Sequence, residues 1–157
     1  MIEPQRQKKS YATEGKFRTI EPKILYFGTP VALLSSLNED GSTDLAPISS
    51  FWALGWTLLL GSFTGTKTAH NVARHRECVV NLPSPEMWHN VEKLASANRK
   101  KSCAKTQVQA VSFRAAQVAA ELTPGASEAL KPARARECPV HMEARYRAAS
   151  TPGRKAK

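Results

Sequence analysis

A chain of 157 residues is the usual size of one domain and can bury a single core, so one principal site is expected. Its 41% apolar and 23% charged residues exclude a disordered or fibrous chain, and no apolar run approaches the ~20 residues that cross a bilayer. The net charge of +10 is uneven: residues 1–80 carry 9 basic and 7 acidic side chains, residues 81–157 carry 14 and 6, so the excess lies outside the best-patterned half.

Residues 1–20 are polar, without a sustained period, and read as a loose arm; Arg6, Lys8 and Lys9 precede no apolar stretch of the signal-peptide kind, so a cytoplasmic protein with no membrane partner is expected. From Lys23 the pattern sharpens. Ile24 to Phe27 and Val31 to Leu37 are apolar runs of strand length, separated by Gly28-Thr29-Pro30. Asn38-Glu39-Asp40-Gly41 supplies a polar hairpin connection with glycine for a positive φ, and the next strand is predicted from Thr43 to Phe51. Pro47 lacks a ladder donor, which marks this strand as an edge, a bulge or a ligand-facing stretch.

Thr57 to Phe63 is a further apolar strand. At Thr64-Gly65-Thr66-Lys67-Thr68 the period changes and a helix begins, with Ala69, Val72 and Ala73 on one face and Arg74, His75 and Arg76 at the C-terminal end, where positive charge suits the dipole. Glu77 to Leu82 returns to strand. Ser84-Pro85-Glu86 starts a helix that reaches Ala97, with Met87, Val91, Leu94 and Ala95 as its buried stripe. Asn98 to Thr106 reads as a basic loop, Val108 to Leu122 as a helix ended by Thr123-Pro124-Gly125, and Glu137 to Tyr146 as the last strand. Residues 148–157 form a basic tail without apolar alternation.

Two strings could carry chemistry. Thr64 to Thr68 places backbone N–H groups, hydroxyls and Lys67 at a helix start, which is either a cradle for a phosphate dianion or a capped helix with a solvated lysine; its spacing is not that of a Walker loop. Ala46-Pro47-Ile48-Ser49-Ser50-Phe51 interrupts a strand, exposing N–H and C=O groups to the polar edge of a flat heteroaromatic ring, or is simply a bulged edge. His70 and His75 are five apart and share no helix face, no serine shows a partnered His and acid, and the three cysteines are odd in number and widely spaced, so no metal, hydrolytic triad or disulfide framework is expected. A nucleic-acid-binding module is suggested by charge alone, without interleaved aromatics or a recognition helix.

Read together, the GTPV strand, the hairpin with Asp40-Gly41, the D-x-APISS segment, the long apolar strand, the K-T-x-x-N helix start and the ECVVNLPS strand resemble the flavin reductase-like family of FMN-binding split barrels. The likeness is closest over residues 23–97, with echoes in Leu122-Thr123-Pro124 and in RECPVHMEA at Arg136 to Ala144. It implies a mainly β, Greek-key split barrel with helices over residues 21–147, a homodimer binding FMN at the subunit interface, and hydride transfer from NAD(P)H to flavin. Carried over by position, Ala46, Pro47, Ile48, Ser49, Ser50 and Phe51 lie along the isoalloxazine and ribityl chain. Ser62, Lys67 and Thr68 hold the phosphate, and Asn71 supports the turn or reaches the ligand. No catalytic acid, base or nucleophile is named, because the flavin carries the hard chemistry. Family members continue past the ECPV-x-x-EA strand with another strand pair, whereas this chain ends in the basic tail. A truncated member is therefore expected, and a flavin-binding electron carrier without NAD(P)H turnover is the alternative.

Overall fold

The computed structural model describes residues 28–62, 65–100 and 111–148. The strand expected at Ile24 to Phe27, the arm and all of the tail but Ala148 lie outside these residues.

The centre of the fold is the run Ala32–Leu37 (β1), six consecutive residues that are all buried. A strand can be buried along its whole length only if both faces of its sheet are covered. Leu33 points into one core with Leu45, Met87, Leu94, Phe113 and Leu122; Ala32 and Leu34 point into a second with Cys78 and Val80. On one side β1 pairs antiparallel with Thr43–Ile48 (β2), from Leu37↔Thr43 to Ala32↔Ile48. The connection is held by Asp40, whose carboxylate accepts from the backbone N–H (2.9 Å) and hydroxyl (2.6 Å) of Ser42, and by Gly41 at φ +80°. These bonds, the hydroxyl's first, hold the Asp40 carboxyl below its usual pKa.

β1 pairs on its other side with Glu77–Leu82 (β5), and β5 with Val140–Arg145 (β9). Val111–Ser112 (β6) adds to β2 at Asp44 and Leu45 only, giving the order β6-β2-β1-β5-β9. Pro47 pairs with Leu33 on the β1 side and lies beyond the reach of β6, so the missing N–H disrupts no second ladder. Among the described residues this sheet is not closed into a barrel.

The strand expected from Thr43 to Phe51 is two strands. It breaks at Ser49-Ser50, after which Phe51–Leu54 (β3) and Thr57–Leu60 (β4) form a separate hairpin. Phe51, Leu58 and Leu60 pack on the second core, while Trp52, Leu54, Trp56 and Leu59 face solvent. The helix Lys67–His75 (α1) lies over the same face. After β5, a 3-10 turn at Pro85–Met87 leads into Trp88–Lys100 (α2), longer than its expected end at Ala97. With Phe113–Ala120 (α3), α2 covers the first core. The single helix expected from Val108 to Leu122 is shorter, because Val111 and Ser112 are drawn into the sheet. Pro124–Gly125 (β7) and Arg134–Ala135 (β8) make a small ladder before β9, which begins at Val140, later than the expected Glu137. Among the described residues no helix is long and apolar enough to cross a membrane.

Candidate functional site

The start of α1 is built as its sequence suggests. Thr66, extended at φ −82° and ψ 148°, is the N-cap, and its Oγ1 accepts from the backbone N–H of Ala69 at 3.2 Å. The Ser62 hydroxyl lies 3.0 Å from Thr66 Oγ1, which ties the end of the hairpin to the helix start. Gly61 makes the other connection. Its N–H donates to the Ser50 carbonyl at 2.6 Å, and a Cβ on residue 61 would stand 2.9 Å from Ser50 Cβ, so only glycine fits. The broken strand at Ser49-Ser50 and the helix start at Thr66-Lys67 are thus joined through Gly61 and Ser62.

Of the expected apolar face of α1, Val72 packs on the second core, and beside it a polar network lies beneath the helix. Asn71 is the buried residue of the helix, and Ala73 faces solvent. The Asn71 side-chain amide donates to Asn38 Oδ1 at 3.0 Å and Ser36 Oγ at 3.3 Å, with a longer contact to Asp44 Oδ2 at 3.5 Å. Asn38 in turn donates to Asp44 Oδ1 at 3.2 Å and Ser42 Oγ at 2.8 Å. Asp44 is fully buried, and Lys67 Nζ meets its Oδ2 at 2.8 Å while the lysine side chain keeps 42% of its surface in solvent. The strand positions require this: Asp44, Ala46 and Ile48 share one face of β2, and opposite Asp44 stands Ser36 and not a hydrophobe. A buried carboxylate is tolerated only when paired and hydrogen-bonded, and Lys67, Asn38 and Asn71 meet that need.

A cleft of about 610 Å³, open to solvent, lies beside this network, lined by Asn38, Glu39, Asp40, Lys67, His70, Asn71 and Arg74. Its charges are largely matched: Lys67 pairs with Asp44, and Arg74 with Glu39 at 2.5 Å.

Of the residues singled out in the sequence, Lys67, Thr68 and Asn71 are brought together on α1, with Ser62 at its threshold. Ser49 and Ser50 reach the same place through Gly61; the Ser49 carbonyl also accepts from Thr29 Oγ1 at 2.8 Å. Ala46 and Pro47 are half-buried on β2, and Ile48 and Phe51 pack against the second core. None of Ala46 to Phe51 lines the cleft. Sequence reasoning missed Asp44 and Asn38. The available signal was a charged residue two positions before Ala46, at the inward parity of a strand.

The profile of the flavin reductase like domain matches residues 24–155. The chain belongs to the flavin reductase-like family. The uncharacterized protein YdfE of Bacillus subtilis (strain 168) is 46% identical to it over 131 residues, which take in 82% of this chain and 63% of YdfE. The chain therefore spans less than two thirds of the length of the curated relative it matches. Among solved structures it is similar to nitrilotriacetate monooxygenase component B from Bacillus cereus, with a TM-score of 0.64 and 18% identity over 90% of this chain and 74% of that one. Flavoredoxin of Desulfovibrio vulgaris (Miyazaki F) aligns with a TM-score of 0.61 and 12% identity, covering 81% and 64% of the two chains. An FMN-binding domain of a flavin reductases-like enzyme from Shewanella baltica OS155 aligns at 0.58 and 12%, covering 74% and 56%. At these identities the likeness is one of fold: a flavin reductase split-barrel architecture, with a sheet that is open among the described residues. Family membership makes a flavin the general class of cofactor.

Proposed function

We propose that the chain binds FMN, with the phosphate at the start of α1 and the ring along Ala46 to Phe51, and serves hydride transfer from NAD(P)H to flavin. The observation that carries this reading is the Gly61–Ser50 hydrogen bond of 2.6 Å, which sets a break in a strand beside a helix N-terminus. A flavin mononucleotide needs two such surfaces at once, one for a planar ring with polar edges and one for a dianion. Lys67 and the first N–H groups of α1 supply positive charge and donors, with the Thr68 and Ser62 hydroxyls beside them. Ser49 and Ser50 offer side chains and backbone at the break. The burial of Asn71 in the network under the helix supports a role in holding the turn. FMN, when bound, supplies the hydride acceptor; the residues named here bind and orient it.

A homodimer in the cytoplasm, without a nucleic-acid partner, completes the reading. The exposed Trp52, Leu54, Trp56 and Leu59 crowd one small hairpin directly after the ring-binding segment, and a second subunit closing there would cover both apolar surface and ligand. A second reading, flavin binding without NAD(P)H turnover, is favoured by the sheet, which is open among the described residues.

The test is titration of the protein and of Lys67→Ala with FMN and with riboflavin, which has no phosphate. A charge-assisted bond lost at a partly buried site costs about 1.5 to 3 kcal/mol, so the variant should bind FMN roughly tenfold to over a hundredfold less tightly and riboflavin nearly unchanged. Equal losses would move the phosphate away from Lys67. Oxidation of NADH and NADPH by the FMN-loaded protein then separates the two readings.

A further inference from the structure

The Lys67–Asp44 pair is oriented. Its carboxylate end is fully buried among Asn38, Asn71 and the β1–β2 hairpin, while its ammonium end is 42% exposed beside the start of α1. An anion arriving at Lys67 therefore meets the cation first and the carboxylate a few ångströms behind it. Coulomb energy falls only as the inverse of distance, so a carboxylate about twice as far away still cancels about half of the attraction of the ammonium. Asn in place of Asp would keep the shape of residue 44 and an oxygen for Asn38, without the charge. Its amide nitrogen would stand where Oδ2 now meets the donors of Lys67 and Asn71, so the network uses both oxygens as well as the charge that acts on Lys67.

We propose that Asp44 is a positioning and specificity-determining residue for the flavin phosphate, acting through Lys67: it fixes the ammonium beside α1 and offsets its charge. The consequence is that discrimination between FMN and uncharged riboflavin is weaker than a lysine alone would give. This rests on the phosphate lying at Lys67, as proposed above.

The experiment measures dissociation constants of FMN and riboflavin for the protein, Asp44→Asn and Lys67→Ala, with circular dichroism and thermal melts to establish folding. Asp44→Asn is expected to tighten FMN about tenfold and leave riboflavin within about twofold, so the riboflavin-to-FMN ratio of constants rises about tenfold. A merely structural Asp44 would weaken both ligands together and leave that ratio where it was, and an unchanged or lowered ratio overturns the inference. Lys67→Ala distinguishes the two layers of the argument. If it does not lower the ratio, the phosphate reading itself fails; if it does and Asp44→Asn leaves the ratio unmoved, only the role of Asp44 fails. Should Asp44→Asn not fold, Asp44→Ser, which also removes the charge, takes its place and is read on the same ratio.

Discussion

The side chain of Asn81, closed off inside the central sheet, accepts the backbone N–H of Ala135 at 2.9 Å. Its amide nitrogen donates to the Leu33 carbonyl at 2.8 Å and to Ser35 Oγ at 3.0 Å, with a longer bond to the Val79 carbonyl at 3.3 Å. One asparagine thus pins the β7–β8 segment to β1 and β5. Asn81→Ala leaves buried donors and acceptors unmatched, and each such group costs about 1 to 3 kcal/mol, so a loss of about 3 kcal/mol is expected in urea denaturation. A loss under about 0.5 kcal/mol, the size of an ordinary surface change, would show that the segment is held by other contacts.

Glu143 holds the same region from the other side. Its carboxylate accepts from the backbone N–H groups of Glu128 (2.6 Å), Ala129 (2.7 Å) and Leu130 (2.9 Å). Burial opposes its ionisation, but the three donors outweigh that and hold its pKa below the usual glutamate value. A carboxyl with a lowered folded pKa stabilises above its unfolded pKa and loses that contribution as pH falls through the folded value. Hydrogen exchange at residues 128–130 should therefore stay slow at neutral pH and accelerate, relative to the sheet, only on acidification below the ordinary glutamate range. In Glu143→Gln the acceleration should already be present at pH 7. Exchange in that variant matching the native protein would remove Glu143 as the anchor.

Gly61→Ala places a Cβ 2.9 Å from Ser50 Cβ and 3.3 Å from the Ser50 carbonyl oxygen. Neither atom is the free end of a flexible side chain, so the backbone must move, at a cost of about 1 to 3 kcal/mol. On the proposed reading the shift separates the ring-binding and phosphate-binding segments, and FMN affinity should fall along with stability. Undiminished FMN binding in a destabilised variant would place the flavin elsewhere.

The thiols of Cys78 and Cys138 are buried in the two cores. Burial pushes Cys78 up to about 11; burial, aided by the charge of Glu137, pushes Cys138 up to about 12. Thiolate is the reactive form, so neither should react with an aromatic disulfide reagent at pH 8 until the protein is unfolded. Rapid native modification of either, located by peptide mapping, would contradict the packing described here.

The strands β1, β4 and β5 were legible as runs between turn signals; β5 keeps its expected ends, Glu77 and Leu82, while β4 stops at Leu60 where Thr57 to Phe63 was expected, Phe63 lying outside the described residues. The helix at Lys67 was legible from its capping residues. Its inward face was legible only at Val72, since periodicity counts apolar residues while the helix seats Asn71 over Ser36, Asn38 and Asp44. The division of residues 43–51 into β2 and β3, which depends on the hairpin leaving the main sheet for the second core, was not legible. At Val111 and Ser112 pairing with β2 overrides a helical pattern, a tertiary contact that no local window contains. The two strings proposed for the flavin were visible separately; their junction through Gly61 and Ser62, and the buried charge of Asp44 beneath Lys67, are products of the fold.

The most direct test of the account is a crystal structure of the protein with FMN bound. Phosphate oxygens are expected within about 3 Å of Lys67 Nζ and of the first backbone N–H groups of α1, with the ring against Ser49 and Ser50. A phosphate remote from α1, or a ring seated away from residues 46–51 at full occupancy, would contradict it.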